Sequence, residues 1–438
     1  MDATTIKQQN VKVGRWRWVV ALILFFVATV NYIDRVNISY AAPYIQKDYH
    51  INDFYMGIIL SSVVWAYAIM QLPMGYLVDR LRAKKMLGYS QLSWGLVSML
   101  TALGFGFGSF LALRVLLGAS ESPAFPTSAK VTSYWFPERE RGQAIGLYLT
   151  GVFIGPMFAS ALIGAMIFYY GFRAMFVLTG AFAIVVVIFW FIYYHDPSDE
   201  KRVTKQEISY IFGNKEDTDN VKRKIPWRTL YKYPSTIGLM VGNFFLVYVS
   251  FMLLTWMPSF LVDTYHLTIL DTGFYATLPY AGGAVGFYLG GKIGDYLIQK
   301  RNWETFKARK MLIIVGAVLT MEVFIASITP SLLVSITVLT LSLFTYGIAG
   351  GNTWMLVASI TSKENVGSVG GIMNFGGYAG SAVAPIVTGF LLLYTKSFVD
   401  GFIIAAIFVL ISALIYGLVV NNFIGEVDMN TRSTTAIK

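Results

Sequence analysis

The feature that most constrains this chain is the recurrence, along nearly its whole length, of apolar stretches of about 20 residues, the length that crosses a hydrocarbon core. Twelve are read, at residues 17–40, 55–78, 86–106, 108–130, 143–168, 173–194, 236–261, 271–298, 310–328, 331–355, 366–393 and 399–423. With 56% hydrophobic and only 13% charged residues among 438, the composition is that of a membrane protein rather than of a soluble one. The first stretch follows Lys7, Lys12, Arg15 and Arg17, as a cleaved signal peptide does. Its apolar run exceeds the usual signal core of about 7 to 15 residues, however, and ends in Asn31-Tyr32-Ile33-Asp34-Arg35, so it is read as a span.

There are no cysteines, which removes disulfides, thiolate metal sites and cysteine nucleophiles together. The net charge of +10 is sorted by side rather than gathered for nucleic acid. With the N-terminus in the cytoplasm, cytoplasmic segments hold Arg80, Arg82, Lys84, Lys85, Arg139, Arg141 and a basic central loop, whereas outer segments hold Lys47, Arg173 and Lys396. That asymmetry follows the positive-inside rule. It predicts a multi-pass protein with both termini cytoplasmic and no nucleic-acid partner.

A polar interruption from Asp196 to Ser235, with nine Lys/Arg and seven Asp/Glu, divides six spans from six. It is read as a cytoplasmic linker, its segment from Thr204 to Ile208 as a surface helix with mixed charges facing solvent. The expected domains are residues 1–195, the linker 196–235, residues 236–425 and a cytoplasmic tail at 426–438. A repeat supports the division: Gly75-x-x-x-Asp79 closes span 2 and Gly291-x-x-x-Asp295 closes span 8, a shift of 216 residues for both members. Gly75, Leu77, Asp79, Arg80 and Lys84 resemble the hallmark of the major facilitator superfamily, with Arg82 and Ala83 departing from it. That resemblance implies an all-α integral membrane fold of twelve transmembrane helices in two pseudo-symmetric six-helix bundles that rock about a central site. It also implies a conformational latch at Gly75, Asp79, Arg80, Gly291 and Asp295.

An ionisable side chain inside a bilayer costs several kcal/mol unless paired or hydrated, so each one is a functional candidate. The first half has four, Asp34 and Arg35 in span 1, Arg114 and Glu121 in span 4. Seven residues separate Arg114 from Glu121, nearly two turns, so they share a face with Gly118 between them, leaving room for a side chain or a ligand. Asp34 and Arg35 point about 100° apart, and the economical arrangement sets Asp34 against Arg114 and frees Arg35 for the cavity. An arginine fork matches a carboxylate as lysine does not. A carboxyl is easier to protonate out of water and harder beside an arginine, so Asp34 and Glu121 are candidate proton carriers. His50, His195 and His266 fall near span ends, and Glu322 stands alone in span 9. The second half offers Asn243, Tyr248, Tyr346, Asn352 and Asn374, neutral groups suited to hydroxyls. In span 2, Tyr67 and Gln71 share a face and, with Tyr32, line the same expected cavity.

The pattern Asn31-Tyr32-x-Asp34-Arg35, with Arg114-x6-Glu121-Ser122-Pro123-x-Phe125-Pro126 and Trp135-Phe136-Pro137-x-x-Glu140-Arg141-Gly142, looks like the anion:cation symporter branch of that superfamily. The branch includes bacterial carriers of galactonate, hexuronates and glucarate, and vesicular members that use a histidine in span 2, where none occurs here. The resemblance implies proton coupling by Asp34, Glu121 and Arg114, with Arg35 taking the substrate carboxylate and Tyr32, Tyr67 and Asn374 touching the substrate. Gln71 joins them from spacing. The expected function is proton-coupled symport of a sugar acid across a bacterial inner membrane, by a monomer with no cofactor other than the coupling proton. A drug or metabolite:proton antiporter is the alternative, from Gly142-x8-Gly151-x3-Gly155-Pro156, although two cavity arginines repel cationic drugs. No Gly-x-Ser-x-Gly, His-Glu-x-x-His or phosphate-cradling Gly-x4-Gly-Lys-Ser/Thr motif argues for an enzyme or an ATP-driven pump.

Overall fold

The computed structural model describes residues 15–197, 199–200, 202–212, 225–362, 365–421 and 423–424. Lys7, Lys12 and the expected tail at 426–438 lie outside the described residues. Each apolar stretch becomes helix, because a segment out of water satisfies its backbone only by bonding within itself. Span 1 is Trp16–Tyr49, span 2 Asp53–Arg80 and span 3 Ala83–Thr101; span 4 is Gly106–Glu121, continued after Pro123 by Ala124–Trp135. Spans 5 and 6 form one run, Glu138–Tyr193, broken at Gly171 by a φ of 80° that favours glycine. The second half comprises span 7 Pro234–Tyr265, span 8 Ile269–Arg301 and span 9 Thr305–Thr320, which a 3-10 turn, Met321–Phe324, extends into Ile325–Ile328. Span 10 is Leu332–Ile360, span 11 Val366–Thr395 and span 12 Val399–Leu418.

Among the described residues, eight helical stretches are long and apolar enough to cross a membrane, the 54-residue Glu140–Tyr193 counted once. At about 1.5 Å per residue that run is long enough to cross a core of roughly 30 Å twice. Spans 3 and 8 are less apolar and carry Lys84 and Lys85, and Lys292 and Asp295, while the helix of span 4, with Arg114 and Glu121, runs only 16 residues before its break. Span 1 packs along the Glu138–Tyr193 run, span 8 along span 10, and span 11 along span 7. The halves meet where span 11 lies on span 2 and span 8 on the Glu138–Tyr193 run.

The two membrane faces differ. At the face where span 1 ends, one continuous apolar core joins both halves, including Ile45, Met56, Ile163, Trp256, Phe260 and Leu392. At the opposite face, which bears the linker, the cores are separate. Leu24, Trp94, Trp135 and Trp190 belong to one and Leu239, Ile313, Val357 and Met373 to the other. The molecule is closed at its far face and parted at its linker face.

The linker helix, Lys205–Phe212, departs from the expectation of charges turned to solvent. Glu207 is buried and accepts from Nη1 of Arg17 at 3.1 Å, while Arg17 Nε donates to Glu140 at 2.8 Å. Ile208 and Ile211 pack on the first half's core. The apolar side of this short helix needs cover, and docking it brings Glu207 down to Arg17.

Candidate functional site

Span 1 continues to Tyr49, so Asp34 and Arg35 lie near its middle and not near its end, as the apolar run alone suggested. Arg35 is 5% exposed, and its Nε donates to Oε2 of Glu121 at 3.2 Å. The rings of Tyr32 and Tyr67 lie 4.9 and 5.0 Å from its guanidinium carbon. Such cation–π contacts contribute about 0.5–2 kcal/mol each. Arg35 is therefore held by a carboxylate and two aromatic faces instead of standing free. Its Nη2 has no hydrogen-bond partner among the described residues.

The carboxylate of Asp34 does not meet Arg114. Its Oδ1 accepts from Ser98 Oγ at 2.7 Å and from Asn37 Nδ2 at 3.2 Å, and Asn37 also donates to Thr179 Oγ1 at 3.2 Å. Arg114 instead donates through Nη1 to the main-chain carbonyl of Asp34 at 3.1 Å. The 100° argument fixes which side of a helix faces a partner, but not which oxygen the partner reaches. Asn37 stands three residues after Asp34, one turn away on the same face, so spacing could have found it; Ser98, one serine among several, carried no such signal.

Arg114 and Glu121 are both buried on span 4. Gly118 between them leaves no room for a ligand, because a Cβ there would stand 2.3 Å from the carbonyl oxygen of Val63. Its smallness serves the approach of spans 2 and 4. Asp34 Oδ2, Glu121 Oε1 and Arg114 Nε join Arg35 Nη2 as buried polar atoms without a hydrogen-bond partner among the described residues. Leaving such an atom unmet costs about 1–3 kcal/mol, more for charged groups. Four in one cluster mark a place suited to a polar occupant or a moving proton.

Around the cluster, Tyr32, Gln71 and Asn374 are half-buried and Tyr67 is buried. The ring of Tyr67 lies 5.2 Å from that of Tyr378 on span 11, a residue the sequence reading did not single out. Its only signal was position, one turn after Asn374. Other second-half polar groups are engaged in packing. Asn243 donates to the carbonyl of Met373 at 3.1 Å, Asn352 to that of Gly290 at 3.1 Å, and Tyr248 packs edge-on to Phe408 with ring centres 4.7 Å apart. Tyr346 stays half-buried.

At the linker face, Asp295 pairs with Arg309, which also donates to Gly291 O at 3.2 Å and to Asn352 Oδ1 at 3.0 Å. In the first half, the Arg80 guanidinium lies 4.1 Å from the ring of Tyr76, and Lys130 Nζ donates to the carbonyls of Val78 and Leu81 at 2.6 and 3.0 Å. Gly75 lines an open groove with Val78, Pro126 and Lys130. The side chain of Asp79 lies outside the described residues. His50 and His266 end spans 1 and 7 in left-handed conformation, and His195 sits 3.3 Å from Glu200, so none joins the charged cluster. Glu322 occupies the 3-10 turn of span 9.

Residues 24–385 match the family profile described as Major Facilitator Superfamily. The chain is 30% identical over 424 residues to the probable galactarate/D-glucarate transporter GarP of Escherichia coli K12, covering 93% of this chain and 95% of that protein. It is also 30% identical over 421 residues to the D-galactonate transporter of Escherichia coli O6:H1, covering 94% and 97%. Its fold is similar to that of a bacterial homologue of the human lysosomal transporter Spinster, solved in an inward-facing and occupied conformation. The TM-score is 0.75 at 18% identity, over 92% of this chain and 97% of that one.

Proposed function

The chain belongs to the major facilitator superfamily, and we propose that it is a proton-coupled symporter that imports a sugar acid, a hexonate or hexuronate such as galactonate, by alternating access. The observation that carries this reading is the state of Arg35, buried and fixed on three sides, with its Nη2 left without a hydrogen-bond partner among the described residues. One immobile carboxylate, Glu121, already holds its Nε, so the occupant that would use the remaining end of the guanidinium is an anion.

Proton coupling follows from charge balance. Asp34, Arg35, Arg114 and Glu121 cancel formally, which is the arrangement least costly to bury. A monocarboxylate entering alone leaves a net negative charge in low dielectric. A proton taken up by Asp34 or Glu121 restores neutrality, so acid and proton bind best together. The names of the relatives, galactarate, glucarate and galactonate carriers, support a sugar acid as the anion, and Asn374, Gln71 and the tyrosines are suited to its hydroxyls. The positive-inside asymmetry supports a cytoplasmic linker face and cytoplasmic termini in a bacterial inner membrane, so that the parted end opens inward. The latch at Gly75, Asp79, Arg80, Gly291 and Asp295 would then close that end in the outward-facing state.

The test is reconstitution into proteoliposomes. A pH gradient, acidic outside, drives accumulation of labelled galactonate or another acid of a hexonate and hexuronate panel, and uptake without a gradient acidifies the lumen. Failure of every acid on the panel to enter, or entry with no proton movement, refutes the proposal.

A further inference from the structure

Span 11 lies antiparallel on span 2 in a regular register. Phe54 meets Phe390 with ring centres 6.2 Å apart, Ser61 Oγ donates to the carbonyl of Ala382 at 2.6 Å, and Tyr67 meets Tyr378 at 5.2 Å. The same register carries Gln71 toward Asn374 and Gly75 toward Gly370, but there the helices have parted. Nothing lies within 4 Å of the position a Cβ on Gly75 would take. Tyr67 and Tyr378 thus form the last rung of the seam before the cavity opens.

Behind that rung is Arg35. The Tyr67 ring touches both the guanidinium, at 5.0 Å, and Tyr378, which places the Tyr378 ring within 10.2 Å of the guanidinium carbon. At no more than that distance, the Tyr378 phenol is within reach of a small hydroxylated acid whose carboxylate Arg35 holds. Tyr67 is wholly buried, whereas Tyr378, at the rung next to the parted stretch, is half-buried. Arg35, Tyr32 and Tyr67 all belong to the first half; Tyr378 comes from the second.

We propose that Tyr378 is a further substrate-positioning and specificity-determining residue, reading through its phenol the hydroxyl on the carbon next to the carboxylate held by Arg35. The inference rests on the sugar-acid reading and deepens it. A phenol donates and accepts one hydrogen bond without bringing charge into the site, and so distinguishes a 2-hydroxy acid from its deoxy analogue while leaving the neutral balance of the cluster intact. Because it rides on span 11, its contact with the acid tightens or loosens as the halves rock, and substrate shape is thereby tied to opening of the seam.

The experiment compares wild type with Tyr378→Phe, Tyr378→His and Arg35→Ala by competition binding of galactonate and its 2-deoxy analogue, with thermal stability measured in parallel. Wild type is expected to favour the hydroxylated acid by about tenfold, the cost of roughly one buried hydrogen bond. Tyr378→Phe keeps the ring packing and the melting temperature but loses most of that preference, and Tyr378→His, which restores a hydrogen-bonding ring, recovers part of it. Arg35→Ala loses both acids alike. Preference unchanged in a folded Phe variant, or equal loss of preference in Phe and His, overturns the assignment of Tyr378 while leaving the transport reading standing. A wild-type protein that binds neither acid overturns both. Should one variant fail to fold, the preference of the other decides.

Discussion

The two halves of this molecule treat charge differently. Among the described residues, the first buries Asp34, Arg35, Arg114 and Glu121 together deep in the spans, whereas the buried ion of the second, Arg309, sits in the first turns of span 9 and is tied to Asp295 at the linker face. Around the cavity the second half presents amides and phenols. All four deep charges lie on spans 1 and 4, so in the proposed alternating-access cycle they would move as one body, and their mutual contacts need not break. What would change between conformations in that cycle is the neutral wall that the second half brings to them. Under the proposed function, the contrast would be a division of labour, with charge and proton held in one half and shape read by the other.

Removing the arginine should break the contrast outright. Arg35→Ala strips the site of its anion fork and leaves Glu121 buried without its partner, a loss of about 3 kcal/mol or more, or at least about 100-fold in Kd. Titration calorimetry with galactonate measures it. Arg35→Lys should rescue little, since an ammonium cannot bond a carboxylate through two parallel donors. Near-normal binding by the alanine variant would remove Arg35 from the site. Neutralising a carboxylate tests the other function of the same half. In Asp34→Asn, exchange of labelled for unlabelled acid across a proteoliposome should persist within a few-fold of wild type, while gradient-driven accumulation falls by about tenfold or more, the signature of a lost proton site. Accumulation that survives in Asp34→Asn but fails in Glu121→Gln would move the coupling to Glu121 alone.

A smaller effect is expected from the neutral half. Asn374→Ala deletes a hydrogen-bonding amide and should cost about 1 kcal/mol, near fivefold in affinity for a hydroxylated acid, and little for a short carboxylate without distal hydroxyls. Competition across such a series separates the two, and an equal loss for both would place Asn374 in packing. How much of this was legible beforehand depends on what spacing can encode. Span number followed from apolar length, and the shared face of Arg114 and Glu121 from their seven-residue interval. Pairing did not follow. Rotation about one helix says nothing of depth in the next, so Arg35 with Glu121 and Arg114 on a carbonyl emerge only when spans 1 and 4 are set side by side. Gly118 read as space and is contact, because the residue that fills it, Val63, is 55 positions away. Tyr378 went unread for the same reason: its partner is on another helix, in the other half.

The smallest effect should come from a contact that joins the halves. At the far face Lys396 Nζ lies 3.6 Å from Asp53 Oδ2, an ion pair between the end of span 11 and the start of span 2, and Gln46 donates to the same aspartate at 2.9 Å. The lysine side chain is 71% exposed, so solvent screens the pair and its worth is below about 1 kcal/mol. The apolar core beneath it, including Trp256 and Leu392, contributes far more to keeping that face shut. Lys396→Ala should therefore tilt the balance toward the state open at the far face by no more than about fivefold. The absence of native cysteines lets the shift be read directly, as the labelling rate of a single cysteine introduced at Ser61 on the seam. Raising the salt to about 1 M should mimic the mutation in wild type and add nothing to the variant, since screening acts on exposed pairs. A rise much above fivefold would mean that Lys396 is a principal tie between the halves, and that charge governs the seam as well as the site.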